Sequence, residues 1–467
     1  MYLDSLMGFL NRINGIIWGW PPQIPLLVIL LLGTGLFLTI RLHFLQIRGL
    51  GHGLRHLIKG PEKADTEGEI SYFQALSAAL SATVGVGNIA GVATAIHYGG
   101  PGALFWMWVT AVVGMTTKFA ECMLANHYRV IHPDGSASGG PMYYIEKGLG
   151  KWWKPLAILF AVCAVISSFG SGNSVQAFTM ADSFKSDFGI PPWVTGMVSA
   201  TLVALVIIGG IKRIGHVASR LVPLMATLYV SAGLTILILN FGQIPAALME
   251  IVTQAFQPRA GLAGAAGSAF MVTMIWGIKR GIFSNEAGQG SAAIAYAAAK
   301  TSDPMRAGLV SLLGPFIDTL IVCSITGLVI ITEGSHLAPV SGQLLNGSPL
   351  TARAFSTGLA PILPWGNLIV TIAVFLFALS TAISWSYYGD RSAEYLFGPG
   401  AIRPYKYAFV LMHFMGAIFS LEIVWGFGDA ALGLMALPNL IALIGLSGIT
   451  ARMVNNYFNP KSAGSGK

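Results

Sequence analysis

The chain has 467 residues, of which 54% are hydrophobic and only 10% charged, against roughly 25% charged in an ordinary soluble domain. This composition excludes a water-soluble fold. The formal net charge of +8 is scattered through short loops, as membrane topology requires, and forms no basic patch for nucleic acid. Cys122, Cys163 and Cys323 lie in apolar runs without C-x-x-C spacing, so neither a disulfide framework nor a cysteine metal site follows.

Apolar stretches of about 17 to 25 residues qualify as spanning helices. Eleven are expected, near residues 24–41, 72–97, 102–124, 155–178, 192–211, 220–241, 264–299, 305–331, 365–388, 405–424 and 428–450. The first is closed by Arg41 without an A-x-A-like cleavage site and reads as a retained span. Assigning alternate loops to one side collects twenty of the 27 Lys and Arg residues there. Only Arg12, Lys185, Arg259 and Arg353 fall opposite, while Lys118, Lys279 and Arg280 lie within or near spans. The bias places the N-terminus outside and the C-terminus in the cytoplasm of a multi-pass protein of the plasma (inner) membrane. No connection is long enough for a soluble catalytic domain; "IPAALMEIVTQAF", within 242–261, reads as an amphipathic surface helix.

With the first span set aside, ten remain and divide as five plus five. The domain plan is an N-terminal extra span and cytoplasmic loop (1–71), a first five-helix repeat (72–241), an external amphipathic segment (242–263), a second five-helix repeat (264–450) and a cytoplasmic tail (451–467). Spans 2 and 7 open the two halves from opposite sides of the membrane. Both carry glycine-interrupted middles, "TVGVGN" and "TMIWGIKRGIFSNEAGQG". Each interior glycine costs about 1 kcal/mol of helix propensity, and backbone freed in hydrocarbon must find a partner. Matched interruptions in inverted halves point to a transporter binding site near the bilayer midplane; close helix packing is the competing explanation of each cluster alone.

Ionisable and polar residues within spans leave alternatives open. Asp318, in "GPFIDTLIVCS", completes a cation site, carries a proton or makes a structural hydrogen bond. Glu286, Lys279 and Arg280, read as lying toward the cytoplasmic end of span 7, suit an inner gate or a capping network. Gln176 contacts substrate or bonds another helix. Trp276 and Trp385 wall a small pocket or simply pack. His97 and His413 are isolated, so a metal or haem reading is weak. An enzyme is not expected: "GLSG" and "GSASG" lack the context of a nucleophile elbow, and neither HExxH nor GxxxxGK[ST] occurs.

"GGPGALFWMWVTAVVG" (Gly99 to Gly114), "TKFAE" (Thr117 to Glu121), "GGPMYYIEKGLG" (Gly139 to Gly150) and "KRGIFSNEAGQGSA" (Lys279 to Ala292) closely resemble the alanine/glycine:cation symporter family, the sodium:alanine symporters. The resemblance covers most of the chain. It implies an all-α membrane protein whose spans 2 to 11 adopt the leucine-transporter fold, a 5+5 inverted repeat with discontinuous spans 2 and 7. It further implies import of alanine or glycine with Na+ by alternating access. A symporter of another small solute with the same fold, proton-coupled in one version, is the alternative; the oligomeric state stays open, a monomer included.

By the same resemblance, the carbonyls of Ser81, Val84 and Phe377 with the hydroxyls of Ser380 and Thr381 would form a sodium site, as hard cations prefer oxygen ligands. A second cation or proton site would draw on Thr83, Asn88, Thr273 and Asp318. The substrate carboxylate would meet amides of Gly85, Val86 and Gly87. Its amine would meet the Thr273 and Ile275 carbonyls and the Thr381 hydroxyl, with Thr83, Gln176, Trp276, Gly277 and Trp385 completing the pocket.

Overall fold

The computed structural model describes residues 2–21, 24–59, 68–133, 135–256, 266–340 and 342–459. It is almost wholly helical; a two-stranded hairpin pairs Val130–Ile131 with Ala137–Ser138. Among the described residues, six helices are long and apolar enough to cross a membrane: Gly102–His127, Lys151–Phe188, Gly210–Leu239, Pro304–Thr332, Gly366–Phe397 and Glu422–Gly445. Two bent pairs, Leu26–Arg41 with Leu45–Lys59 and Tyr72–Thr83 with Gly87–Gly99, raise the number to eight. The further spans expected from the sequence correspond to shorter helices, Pro192–Ile207 and Ile402–Ile418, and to an interrupted one, Ala266–Asn285 followed by Ser291–Ala297.

Regions read as loop, external segment and tail carry helices. Tyr2–Gly19 lies along Leu421–Gly445, where the Asn14 amide donates to the Gly426 carbonyl (2.8 Å) and the Trp18 indole to the Asp429 carbonyl (3.0 Å). Leu45–Lys59 turns 79° from the preceding helix and meets the terminal Ser447–Phe458 helix: His56 bonds the Tyr457 hydroxyl and Arg48 covers the Phe458 ring. Ile244–Phe256 is the expected amphipathic helix. It rests on Gly102–His127, with the Trp106 indole donating to the Ala255 carbonyl. The rest of that segment, 257–263, and tail residues 460–467 lie outside the described residues.

Two interruptions organise the centre. The first broken helix starts at a capping box in which Ser71 and Gln74 satisfy each other's backbone amides. It stops after Thr83, where Val84 leaves helical geometry at ψ 82°, and resumes through a wide π-type turn at Gly87–Gly91 with a 47° bend. The second helix runs without a break from Ala266 to Asn285. Glu286 (φ 57°), Gly288 (φ 89°) and Gly290 (φ 79°) then reverse its handedness before Ser291. A β-carbon resists such backbone, which explains two of the three positions being glycine. The unbroken Gly366–Phe397 helix crosses beside the first interruption.

Candidate functional site: two helix breaks and the cavity between them

Breaking a helix inside a bundle strands backbone groups, and here side chains take up several of them. At the first break the Gly85 amide donates to Asn88 Oδ1 (2.9 Å) and the Val86 amide to Gln176 Oε1 (3.3 Å). The Ser81 carbonyl accepts from Thr381 Oγ1 (2.9 Å) and Ser380 Oγ (3.3 Å); Ser81 Oγ in turn donates to the Ser380 carbonyl (2.8 Å). Ser380 Oγ also donates to the Phe377 carbonyl (2.9 Å). Of the five residues assigned to a sodium site, Ser81, Phe377, Ser380 and Thr381 therefore share one hydrogen-bonded cluster of uncharged oxygens. Val84 sits at the break beside them.

A small cavity of about 10 Å³ opens directly against this cluster, lined by Ala82, Thr83, Gly85, Gly87, Ser171, Gln176, Phe283, Thr381, Trp385 and Leu432. A β-carbon on Gly85 would collide with Thr381 Oγ1 and approach Gln176 Oε1 to 3.3 Å. One on Gly87 would meet the Phe283 ring at 3.0 Å and Ser284 Cα at 3.3 Å. The two glycines thus let the first break approach both the Gly366–Phe397 helix and the end of Ala266–Asn285. Trp385 forms a wall by lying on Gly172, where any side chain would overlap the indole. Gln176 bonds the broken helix, its Oε1 accepting the Val86 amide (3.3 Å), while its amide nitrogen donates to the Ser171 carbonyl five residues before it (3.0 Å). The Thr83 hydroxyl is turned back to the Ala79 and Leu80 carbonyls of its own helix.

The second break is held from the Gly102–His127 helix. Lys118, fully buried, donates to the Asn285 carbonyl (2.7 Å) at the C-terminal end of Ala266–Asn285. Glu121, one turn on and also fully buried, accepts the Gly290 amide (3.1 Å) at the start of the next helix. A cation thus meets the negative end of one helix and a carboxylate the positive end of the other. Asn439 completes the bracket with amide bonds to Glu121 (2.6 Å) and the Gly288 carbonyl (2.9 Å). Glu286 accepts from Ser291 Oγ (2.6 Å), a capping role. Lys118→Met should unfold at a clearly lower temperature in detergent, since a charged hydrogen bond to a buried carbonyl contributes about 1.5 to 3 kcal/mol; an unchanged melting midpoint would contradict the bracket.

Asn88 and Asp318 are brought together, in a network that ties the two breaks. Asn88 Nδ2 donates to Asp318 Oδ1 (2.7 Å) and to its carbonyl (3.1 Å), and Ser284 and Thr319 both donate to Oδ2 (2.7 Å each). These bonds supply the partners that the structural reading of Asp318 requires. Thr273 is not with them: its hydroxyl donates to the Gly99 carbonyl (2.7 Å).

Thr273, Ile275, Trp276 and Gly277 lie on continuous helix ahead of the break, so none of the backbone there is released for a substrate amine. Trp276 stacks on Tyr98 with ring centroids 4.5 Å apart. Gly277 abuts the Ala103 carbonyl and the Trp106 side chain, a helix-packing role. From this helix Phe283 reaches the cavity instead, and Ala82, Ser171 and Leu432 also line it; none of the four was among the expected site residues. Lys279 and Arg280 also fall on the N-terminal side of the break, where both pair with Asp429 (2.5 and 2.9 Å). His97 bonds the Leu345 carbonyl, and His413 is enclosed by Asn173 and Ser199. Among the described residues no cluster of three His, Cys, Asp or Glu side chains could hold a metal, and all three cysteines are buried and unpaired.

The sequence profile of the sodium:alanine symporter family matches residues 3–467. The chain belongs to the sodium:alanine symporter family. Among its relatives, the sodium/alanine symporter AgcS of Methanococcus maripaludis is 49% identical over 95% of this chain and 96% of its own. A Bacillus subtilis protein named "Probable sodium/glutamine symporter GlnT" is 36% identical over 99% of this chain and 92% of its own. The crystal structure of MhsT in complex with L-phenylalanine superposes with a TM-score of 0.57 at 14% identity, covering 83% of this chain and 98% of that one. That likeness establishes the leucine-transporter type of fold. As a member of the family the protein is a multi-pass membrane transporter, an amino-acid:cation symporter and not an enzyme.

Proposed function

We propose that this sodium:alanine symporter family member imports alanine or glycine with Na+ across the plasma membrane. In this reading it has eleven spans, spans 2 to 11 arranged as two inverted five-helix repeats, with the N-terminus outside and the C-terminus in the cytoplasm. The observation that carries the reading is the shared wall between the oxygen cluster and the cavity: Thr381 belongs to both, and Ser81 and Gly85 lie on the same broken turn. Neutral carbonyl and hydroxyl oxygens suit a hard monovalent cation, and hydroxyls that now donate to carbonyls can rotate to offer lone pairs instead. A bound cation would fix the turn whose Gly85 and Val86 amides, held here by Asn88 and Gln176, would turn to a substrate carboxylate, so that binding of each favours the other. Trp385 and Phe283 close in on a cavity of about 10 Å³, room for about one water, so the pocket opens to admit a substrate and these two rings limit it to a small side chain.

Equilibrium binding of alanine, glycine and glutamine to the purified protein tests this, in sodium and in choline. Alanine and glycine are expected to bind in sodium, with glutamine at least about tenfold weaker, a difference of about 1.4 kcal/mol. Glutamine binding as tight as alanine would overturn the assignment of a small pocket.

A further inference from the structure

Small side chains on one face of a helix leave a furrow against its neighbour. Ala200 and Ala204 do so on Pro192–Ile207, where it packs beside Ile402–Ile418, and the furrow between the two helices holds about 910 Å³. Its rims, at Met197, Thr201, Ile208, Tyr407 and Leu411, are exposed. Charge lines it at one end only, through Arg403 and Lys406. Lys406 closes that end by donating to the Ile207 carbonyl (2.7 Å), and it lies 3.6 Å from Asp390. Arg403, one turn earlier, is exposed and has no ion pair among the described residues. The Arg213 side chain lies against Gly209, next to Ile208, and it too has none. From Arg403 to Phe414 the lining covers eleven residues of helix, about 16 Å at 1.5 Å per residue. The hydrocarbon of one leaflet is about 15 Å thick, half of a 30 Å core.

We propose that this furrow binds an anionic phospholipid, one acyl chain lying along Ala200 and Ala204 while the phosphate meets Arg403 and Arg213. Guanidinium groups match phosphate oxygens with paired donors. Tyr407 stands at the headgroup level, where an aromatic ring with a polar tip is favoured. The apolar length fits one chain in one leaflet, and the unmet cations select for net charge in the headgroup. A second copy of this chain suits the furrow less well. Packed about a two-fold axis along the membrane normal, it would set each of these cations against its own counterpart.

Native mass spectrometry of the purified full-length protein in detergent tests this, with dioleoyl phosphatidylglycerol or dioleoyl phosphatidylcholine added. The two lipids share their chains and differ in net charge. The parent should retain one phosphatidylglycerol at least about tenfold more tightly than phosphatidylcholine, since two neighbouring cations act on the anionic headgroup. A variant carrying both Arg213→Gln and Arg403→Gln should hold the two lipids within about twofold of each other. Ala204→Trp, which fills the furrow and keeps the cations, should weaken phosphatidylglycerol retention by about tenfold. Equal retention of the two lipids by the parent, or an undiminished preference in the double variant, overturns the inference whether or not Ala204→Trp folds. Parent-like retention by folded Ala204→Trp overturns it as well, because no chain would then lie in the furrow. A lipid-free dimer that becomes a monomer in Ala204→Trp would assign the furrow to a second copy instead.

Discussion

Gly85→Ala is expected to weaken sodium-dependent alanine binding about a hundredfold, roughly 2.7 kcal/mol, while the protein still inserts and folds. Gly85 lies outside the left-handed region of backbone space, so alanine is allowed there by the main chain. The new methyl group instead meets Thr381 Oγ1. Thr381 can avoid it only by rotating its hydroxyl away from the Ser81 carbonyl, which removes one oxygen from the cluster and fills the adjoining cavity. The variant tests cluster and cavity together. Were Gly85 small only to allow helix packing, the loss would appear in thermal stability, and alanine affinity would fall only with the folded fraction.

Thr381→Val separates the two. Valine keeps the shape of threonine but loses the oxygen. Ser81 keeps a second donor in Ser380 (3.3 Å), so folding should survive with a modest change in melting temperature. The sodium concentration needed for half-maximal alanine binding should rise by more than about tenfold, the cost of losing one ligand of a weak cation site, about 1.4 kcal/mol or more. Sodium titration of alanine binding on the purified variant measures it. A parent-like sodium midpoint would mean that the Thr381 hydroxyl serves only its hydrogen bond to Ser81.

The first break was legible because "TVGVGN" concentrates helix-opposing residues in six positions, and the structure interrupts the helix there. The second was legible as a motif but not in position. Within "TMIWGIKRGIFSNEAGQG", Gly277 and Gly281 sit in regular helix and admit the Ala103 carbonyl and the Thr110 hydroxyl, whereas Gly288 and Gly290 supply positive φ. Sequence alone does not distinguish a glycine chosen for close approach from one chosen for handedness. The Asn-Glu-Ala-Gly-Gln-Gly string, rich in turn formers, was the available signal for the later position. The roles of Lys118 and Glu121 were hidden for a different reason: their partners, the Asn285 carbonyl and the Gly290 amide, are about 170 residues away, and only packing reveals the pairing. Phe283 and Leu432 likewise reach the cavity through tertiary contact and carry no sequence mark. Hydropathy found the long helices but missed Tyr2–Gly19 and Leu45–Lys59, whose mixed faces pack on other helices instead of reading as spans.

The most direct measurement is alanine uptake into proteoliposomes under an inward sodium gradient, compared with the same vesicles in which choline replaces sodium at fixed membrane potential and pH. Coupling to one net charge adds about 2.3 kcal/mol of drive per 100 mV. Accumulation of alanine above its external concentration should therefore appear with sodium, grow with an inside-negative potential, and vanish in choline. Equal accumulation in choline would contradict the assignment of the oxygen cluster at Ser81, Ser380 and Thr381 as the site of the driving ion.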